Sequence, residues 1–129
     1  KNNLSNYQEI EQLINKIQPD AILHLAANSD PNYCEQHPEE TTEINVIASI
    51  NLAKIAAANN ILFLFTSTDL IFDGTNAPYS ETDTTNPKMK YGKQKVSAEK
   101  GILEVNPNAI IARMPLINLI VDYLLFPPL

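Results

Sequence analysis

Tyr91 and Lys95 stand four residues apart in Tyr91-Gly92-Lys93-Gln94-Lys95, a spacing that puts both on one face of a helix. A phenol with a pKa of about 10 is a poor proton donor at neutral pH, and a neighbouring ammonium helps by stabilising the phenolate. With five tyrosines and eight lysines in 129 residues, the spacing arises by chance roughly 0.3 times, so alone it fits an exposed helical turn equally well. Its weight comes from two other polar clusters, Asn28-Ser29 and Ser67-Thr68-Asp69, each of which closes an apolar run. If those runs are parallel strands, both clusters and the Tyr91 turn lie at the carboxyl edge of one sheet, where ligands bind. The Thr68 hydroxyl can then donate to the same carbonyl oxygen that Tyr91 protonates. Quieter roles exist for each: Ser67 and Thr68 as partners for the last backbone groups of a strand, Asp69 as a turn cap, Lys95 as a solvated helix lysine.

The elements that must position these groups can be read from periodicity. Ile10, Leu13, Ile14 and Ile17 recur at spacings of three and four and predict a helix over residues 7–17 with those four inward, ended by Pro19. Residues 21–27 are a continuous apolar run, as in a strand whose sheet is covered on both faces. A loop rich in turn formers follows at 28–32, with Cys34 expected beyond it as a small loop side chain. A long helix is expected from about Pro38 to Asn59. One of its faces carries Ile44, Ile47, Ala48, Leu52 and Ile55, and another Val46, Ile50, Ala53 and Ala57. The second face fits either another subunit, as in a homodimer, or further core of the same domain. Residues 61–67 predict the next strand, 75–90 a long irregular loop, 91–105 a helix with Val96, Ile102 and Leu103 inward, and 109–112 a third strand. Strand, helix and strand without hairpin signals indicate an α/β fold with a parallel sheet.

Bulk properties narrow the function classes. The net charge of −6 argues against a nucleic-acid or anionic-membrane binder, both of which need basic patches. A single cysteine forms no internal disulfide and fits a reducing compartment. His24 and His37 have no partner at zinc-ligand spacing, so no metal is expected. No apolar run reaches the roughly 18 residues of a membrane span, and a cytoplasmic protein is the expectation.

The motifs as a set resemble a known family. Pro19-Asp20-Ala21-Ile22-Leu23-His24-Leu25-Ala26-Ala27, Cys34-Glu35, Pro38 and Ile44-Asn45-Val46 come first. Ser67-Thr68-Asp69-Leu70-Ile71-Phe72-Asp73-Gly74, Pro78-Tyr79-Ser80-Glu81 and Tyr91-Gly92-Lys93-Gln94-Lys95 with Glu99 follow. Their order is similar to that of the extended short-chain dehydrogenase/reductases, and within them the dTDP-4-dehydrorhamnose reductases, over residues 4–116. The resemblance implies a Rossmann-like doubly wound parallel sheet. It implies Tyr91 as proton donor to a keto oxygen, and Lys95 as the residue that holds the nicotinamide ribose and lowers the tyrosine's pKa. Thr68 would bond the reacting oxygen with Asp69 beside it, Ala26, Ala27, Ser29 and Ser67 would line the cofactor, and Asn45 would be a structural asparagine near the site. The implied reaction is hydride transfer from NADPH or NADH to the 4-keto group of a dTDP-linked deoxysugar.

The family opens with a strand and a glycine-rich phosphate turn, whereas this sequence has no glycine before Gly74. The resemblance therefore begins about one βαβ unit inside the fold. Residues 1–116 are expected to be a partial NAD(P)-binding domain, and 117–129 an apolar tail left over from a substrate-binding region. The 129-residue chain alone is expected to bind dinucleotide weakly. Two alternatives share these motifs: a sugar-nucleotide epimerase or dehydratase of the same superfamily, and a non-catalytic regulatory subunit resembling the methionine adenosyltransferase β-subunit.

Overall fold

A computed structural model describes residues 4–115; the expected tail at 117–129 lies outside them. The first helix, α1 (Tyr7–Ile17), opens on Asn6, whose side chain accepts the Glu9 N–H, and closes at Gln18 in the left-handed region just before Pro19. Its inward residues are Ile10 and Ile14, which pack towards the core; Ile17, expected inward, is 59% exposed at the last position of the helix. Strand β1 (Ala21–His24) follows.

The segment expected to be a loop contains a short helix, α2 (Pro31–Gln36). Asp30 caps it by accepting the Asn32 and Tyr33 N–H groups, and Pro31 takes its first position, a proline placement that suits a helix start as well as a turn. Cys34 is therefore a fully buried helix residue, with its thiol 3.4 Å from the Asn28 carbonyl.

The long helix is present in three joined parts: α3 (Pro38–Thr42), a π-helical turn (Glu43–Ile47) and α4 (Ala48–Ala58). The π turn inserts an extra residue and rotates the apolar stripe. As a result Asn45 faces inward, fully buried, while Ile47 is turned out and 41% exposed. The second apolar face of this helix is taken up within the chain: Ala53 lies in the core and Ile50 packs against it. The Ile50 side chain lies where a Cβ on Gly101 would be, so the glycine that weakens a helix in isolation is what lets α4 and α5 approach closely.

Strand β2 (Leu62–Thr68) runs into a 3₁₀ turn (Asp69–Ile71), then an irregular loop, then α5 (Lys90–Val105) and strand β3 (Ile110–Met114). The sheet is parallel with order β1-β2-β3, and register pairs His24 with Phe65 and Thr68 with Met114. Phe63 and Phe65 on the central strand are buried together with Ile55 of α4 and Ile102 of α5. Leu103, expected inward, is 43% exposed, because α5 spends much of its inward face on Gln94, Lys95 and Glu99.

Among the described residues α1, α4 and α5 share one core with the Phe63 and Phe65 face of the sheet. Leu23, Leu62, Ile110 and Met114, which alternation places on the opposite face, are each 45% exposed or more. Strands apolar on both sides belong to a doubly wound sheet, and here one of the two faces is open.

Candidate active site at the carboxyl ends of the strands

The three polar clusters converge. A cavity of about 460 Å³ is lined by Leu25, Ser29 and Pro31 after β1, Thr66 to Leu70 at the end of β2, Tyr91 at the start of α5, and Met114 at the end of β3. Ser29, Ser67, Thr68, Asp69 and Tyr91 are thus brought together, whereas Ala26, Ala27 and Lys95 are not among the lining residues.

Tyr91 is held in place by the start of its helix. The Glu35 carboxylate of α2 accepts the Lys90 N–H at 2.7 Å, doing from a distance the work of a cap that Met89 cannot do. Gly92 lies so close to the 3₁₀ turn that a Cβ there would run into the Leu70 carbonyl oxygen. The phenol is buried, and burial, then the nearby Cys34 thiol, pushes its pKa above the ordinary value. Lys95 is not among the groups that set this direction.

Lys95 lies beneath the cavity. Its ammonium donates to the Thr66 carbonyl at 2.6 Å and sits 3.8 Å from the centroid of the Phe65 ring. Burial lowers its pKa to about 8, with Glu99 acting in the opposite direction. Glu99 itself is engaged by Arg113, whose Nη2 lies 2.8 Å from its carboxylate.

Thr68 plays the quiet role as well as facing the cavity: its hydroxyl accepts the Leu70 N–H at 3.2 Å and donates to Asp69 Oδ1 at 3.1 Å, capping the 3₁₀ turn. Asp69 is exposed. The Ser67 hydroxyl is buried without a partner among the described residues, and Ser67 lines the cavity, where a polar ligand atom would satisfy it.

Of the buried polar groups behind the site, the resemblance implied Asn45, whereas the pairing of His24 with Ser49 and the partners of Gln94 were passed over. His24 Nε2 is 2.9 Å from Ser49 Oγ, and burial, then the charge of Lys95, lowers its pKa to about 4. Asn45 brackets the backbone of Asn28, accepting its N–H at 2.8 Å and donating to its carbonyl at 2.9 Å, and also donates to Gln94 Oε1. The apolar part of the cavity, from Leu25, Leu70 and Met114, carried no signal of its own. Among the described residues no group of three His, Cys, Asp or Glu side chains could hold a metal, and no helix is long and apolar enough to cross a membrane.

The chain is 43% identical over 115 residues to methionine adenosyltransferase 2 subunit beta of Bos taurus, an alignment covering 89% of this chain and 34% of that protein. It superposes on a dTDP-4-dehydrorhamnose reductase from Bacillus anthracis in complex with NADP with a TM-score of 0.85 at 25% identity, covering 88% of this chain and 41% of that one. A dTDP-4-dehydrorhamnose reductase ortholog from Clostridium acetobutylicum gives 0.81 at 31% identity, covering 85% and 40%. The chain thus spans about a third of the length of the curated relatives it matches. Residues 1–118 match the RmlD substrate binding domain family, and the chain belongs to that family within the extended short-chain dehydrogenase/reductases.

Proposed function

We propose that this chain is the catalytic portion of an NAD(P)H-dependent reductase acting on the 4-keto group of a dTDP-linked deoxysugar, with dTDP-4-dehydrorhamnose as the substrate to try first. The observation that carries the reading is that Tyr91 and Thr68 open into one cavity at the strand ends, with Ser67, whose hydroxyl has no partner among the described residues, beside Thr68 and apolar Leu25, Leu70 and Met114 also lining it.

These residues fit the nicotinamide end of a dinucleotide: an orphaned hydroxyl, an apolar wall and a buried ammonium lie together at the strand ends. The bound dinucleotide supplies the hydride. Tyr91 donates its hydroxyl proton to the keto oxygen, and Thr68 can turn its hydroxyl from Asp69 to the same oxygen. The Lys95 ammonium, fixed by the Thr66 carbonyl, favours the phenolate left after transfer and holds the ribose. Residues 1–116 form the cofactor-binding portion in this reading.

Consumption of NADPH and NADH by the full-length protein with dTDP-4-dehydrorhamnose tests it. The parent turns over, and Tyr91→Phe, which keeps the ring and removes the proton, loses about 10²- to 10⁴-fold in kcat. A folded parent that consumes neither cofactor overturns the reading.

A second reading is a regulatory subunit, favoured by the higher identity to methionine adenosyltransferase 2 subunit beta and by the local engagement of the Thr68 hydroxyl. It gains support from tight binding to a methionine adenosyltransferase catalytic subunit in the absence of turnover.

A further inference from the structure

Gln94 lies between Tyr91 and Lys95 on α5 and is 4% exposed, yet it does not line the cavity. Its side-chain amide reaches only groups distant in sequence. Oε1 accepts from Asn45 Nδ2 at 2.9 Å, and Nε2 donates to Thr41 Oγ1 at 2.8 Å and Thr42 Oγ1 at 3.2 Å, with the Pro38 carbonyl at 3.4 Å. The orientation of the amide follows from the chemistry of its partners. The Thr41 hydroxyl spends its hydrogen on the His37 carbonyl at 2.8 Å and the Thr42 hydroxyl spends its own on the Pro38 carbonyl at 2.7 Å. Both hydroxyls can therefore only accept from Gln94, and the amide oxygen is left for Asn45.

The far side of Asn45 holds the backbone of Asn28, next to Ser29 at the cavity rim. A continuous set of hydrogen bonds thus runs from the helix that carries Tyr91 and Lys95, through the π turn, to the loop after β1. The loop and α5 meet at the cavity, and a buried, fully satisfied network of this kind specifies one arrangement of the elements it joins.

We infer that Gln94 is a positioning residue that sets the separation between the Tyr91–Lys95 face of α5 and the Asn28–Ser29 loop, and so the distance between the proton donor and the cofactor edge of the site. It touches neither substrate nor cofactor. The inference rests on the proposed reductase reading for its catalytic consequence, but its structural half stands apart from that reading.

The test uses the full-length protein, with Gln94→Leu and the near-isosteric Gln94→Glu. A carboxylate in place of the amide cannot donate to Thr41 and Thr42, whose lone pairs repel it, so it moves from its place against Asn45, and an effect shared by both variants belongs to the hydrogen bonds and not to lost volume. Two readouts are taken: kcat and KM with NADPH and the keto sugar, and the exchange protection of the Asn28 amide by NMR. In Gln94→Leu the Asn28 amide, bonded to an Asn45 side chain no longer held, loses about tenfold in protection. kcat falls about tenfold or more through misplacement while KM for the sugar nucleotide stays within about twofold. Gln94→Glu shifts both in the same direction and serves alone if Gln94→Leu does not fold. Unchanged Asn28 protection overturns the inference, as does unchanged kcat in an active parent. An inactive parent removes the reductase reading, and Asn28 protection still decides whether Gln94 holds the loop.

Discussion

At the scale of single residues, the site is built from groups that burial has pushed away from their ordinary ionisation. His24 is the case with the clearest consequence. Its imidazole sits between Ser49 and the rings of Phe63 and Phe65, and its pKa falls from 6.5 to about 4 through burial and the charge of Lys95. The unfolded chain takes up a proton at this histidine as pH drops through 6.5, whereas the folded chain does not until about 4. The unfolded state therefore binds more protons across that window, and stability falls as pH falls. A shift of this size corresponds to roughly 3 kcal/mol when the window is crossed completely. Urea unfolding midpoints of the full-length protein from pH 7 to 5 should decline in the parent and flatten in His24→Gln; equal slopes in the two proteins would rule out His24 as the source. Lys95 extends the same sign to basic pH. Its pKa is lowered from 10.5 to about 8, so the cost of burying its charge is present below about 8 and is relieved as pH rises towards 10.5. Glu99 acts against that cost without removing it, since Arg113 engages the same carboxylate through both Nε and Nη2.

At the scale of elements, the placement of α5 decides whether these residues meet. Gly92 is the least forgiving point: its missing side chain gives room to the Leu70 carbonyl, a backbone atom that has no rotamer to change. Gly101 is close to Ile50, a side chain that can turn. Gly92→Ala should therefore destabilise by about 1–3 kcal/mol and displace Tyr91 from the cavity, whereas at Gly101 the helix propensity gained from alanine offsets most of the repacking. Parallel chemical denaturation of the two variants checks this, and an equal effect would mean the Leu70 turn yields as easily as a side chain. The same helix shows what the sequence could and could not disclose. Its span, its tyrosine and lysine, and its meeting with the ends of β1 and β2 were legible, because helical period and strand order are local properties. The inward position of Gln94 and the outward position of Leu103 were not, because the first depends on partners in α3 and the π turn, far away in sequence. The exposure of Ile47 was hidden for a related reason: it follows from one extra residue in a helical turn, which leaves no mark on composition. The helix at Pro31–Gln36 was lost to the ambiguity of Asp-Pro, which starts turns and helices alike.

At the scale of the whole molecule, the unequal covering of the sheet is the main physical fact. α1, α4 and α5 bury the side of Phe63 and Phe65, while Leu23 on the other face is 64% exposed, Leu62 54% and Ile110 46% among the described residues. An all-parallel sheet is stable when both faces are covered, and leucine and isoleucine at alternate positions of all three strands would be costly as a solvated surface. Curated relatives are about three times as long as the part aligned here, which leaves ample chain to cover a three-stranded face. The expectation is that Leu23 behaves as a core residue in the full-length protein despite its exposure here. Leu23→Ser there should cost about 2–4 kcal/mol, the scale of truncating a buried leucine and adding an unpaired hydroxyl. A truly solvated leucine on a sheet surface would change stability by no more than about 0.5 kcal/mol. Urea denaturation separates the two, and the smaller value would mean that this face is open to water in the intact protein. The 129-residue chain supplies the companion measurement. With the face bare it should bind an apolar dye such as anilinonaphthalene sulfonate strongly and NADPH only weakly, because the cavity shares Leu25 and Met114 with that face. Tight NADPH binding by this chain in calorimetry would show that one covered face is enough to complete the site.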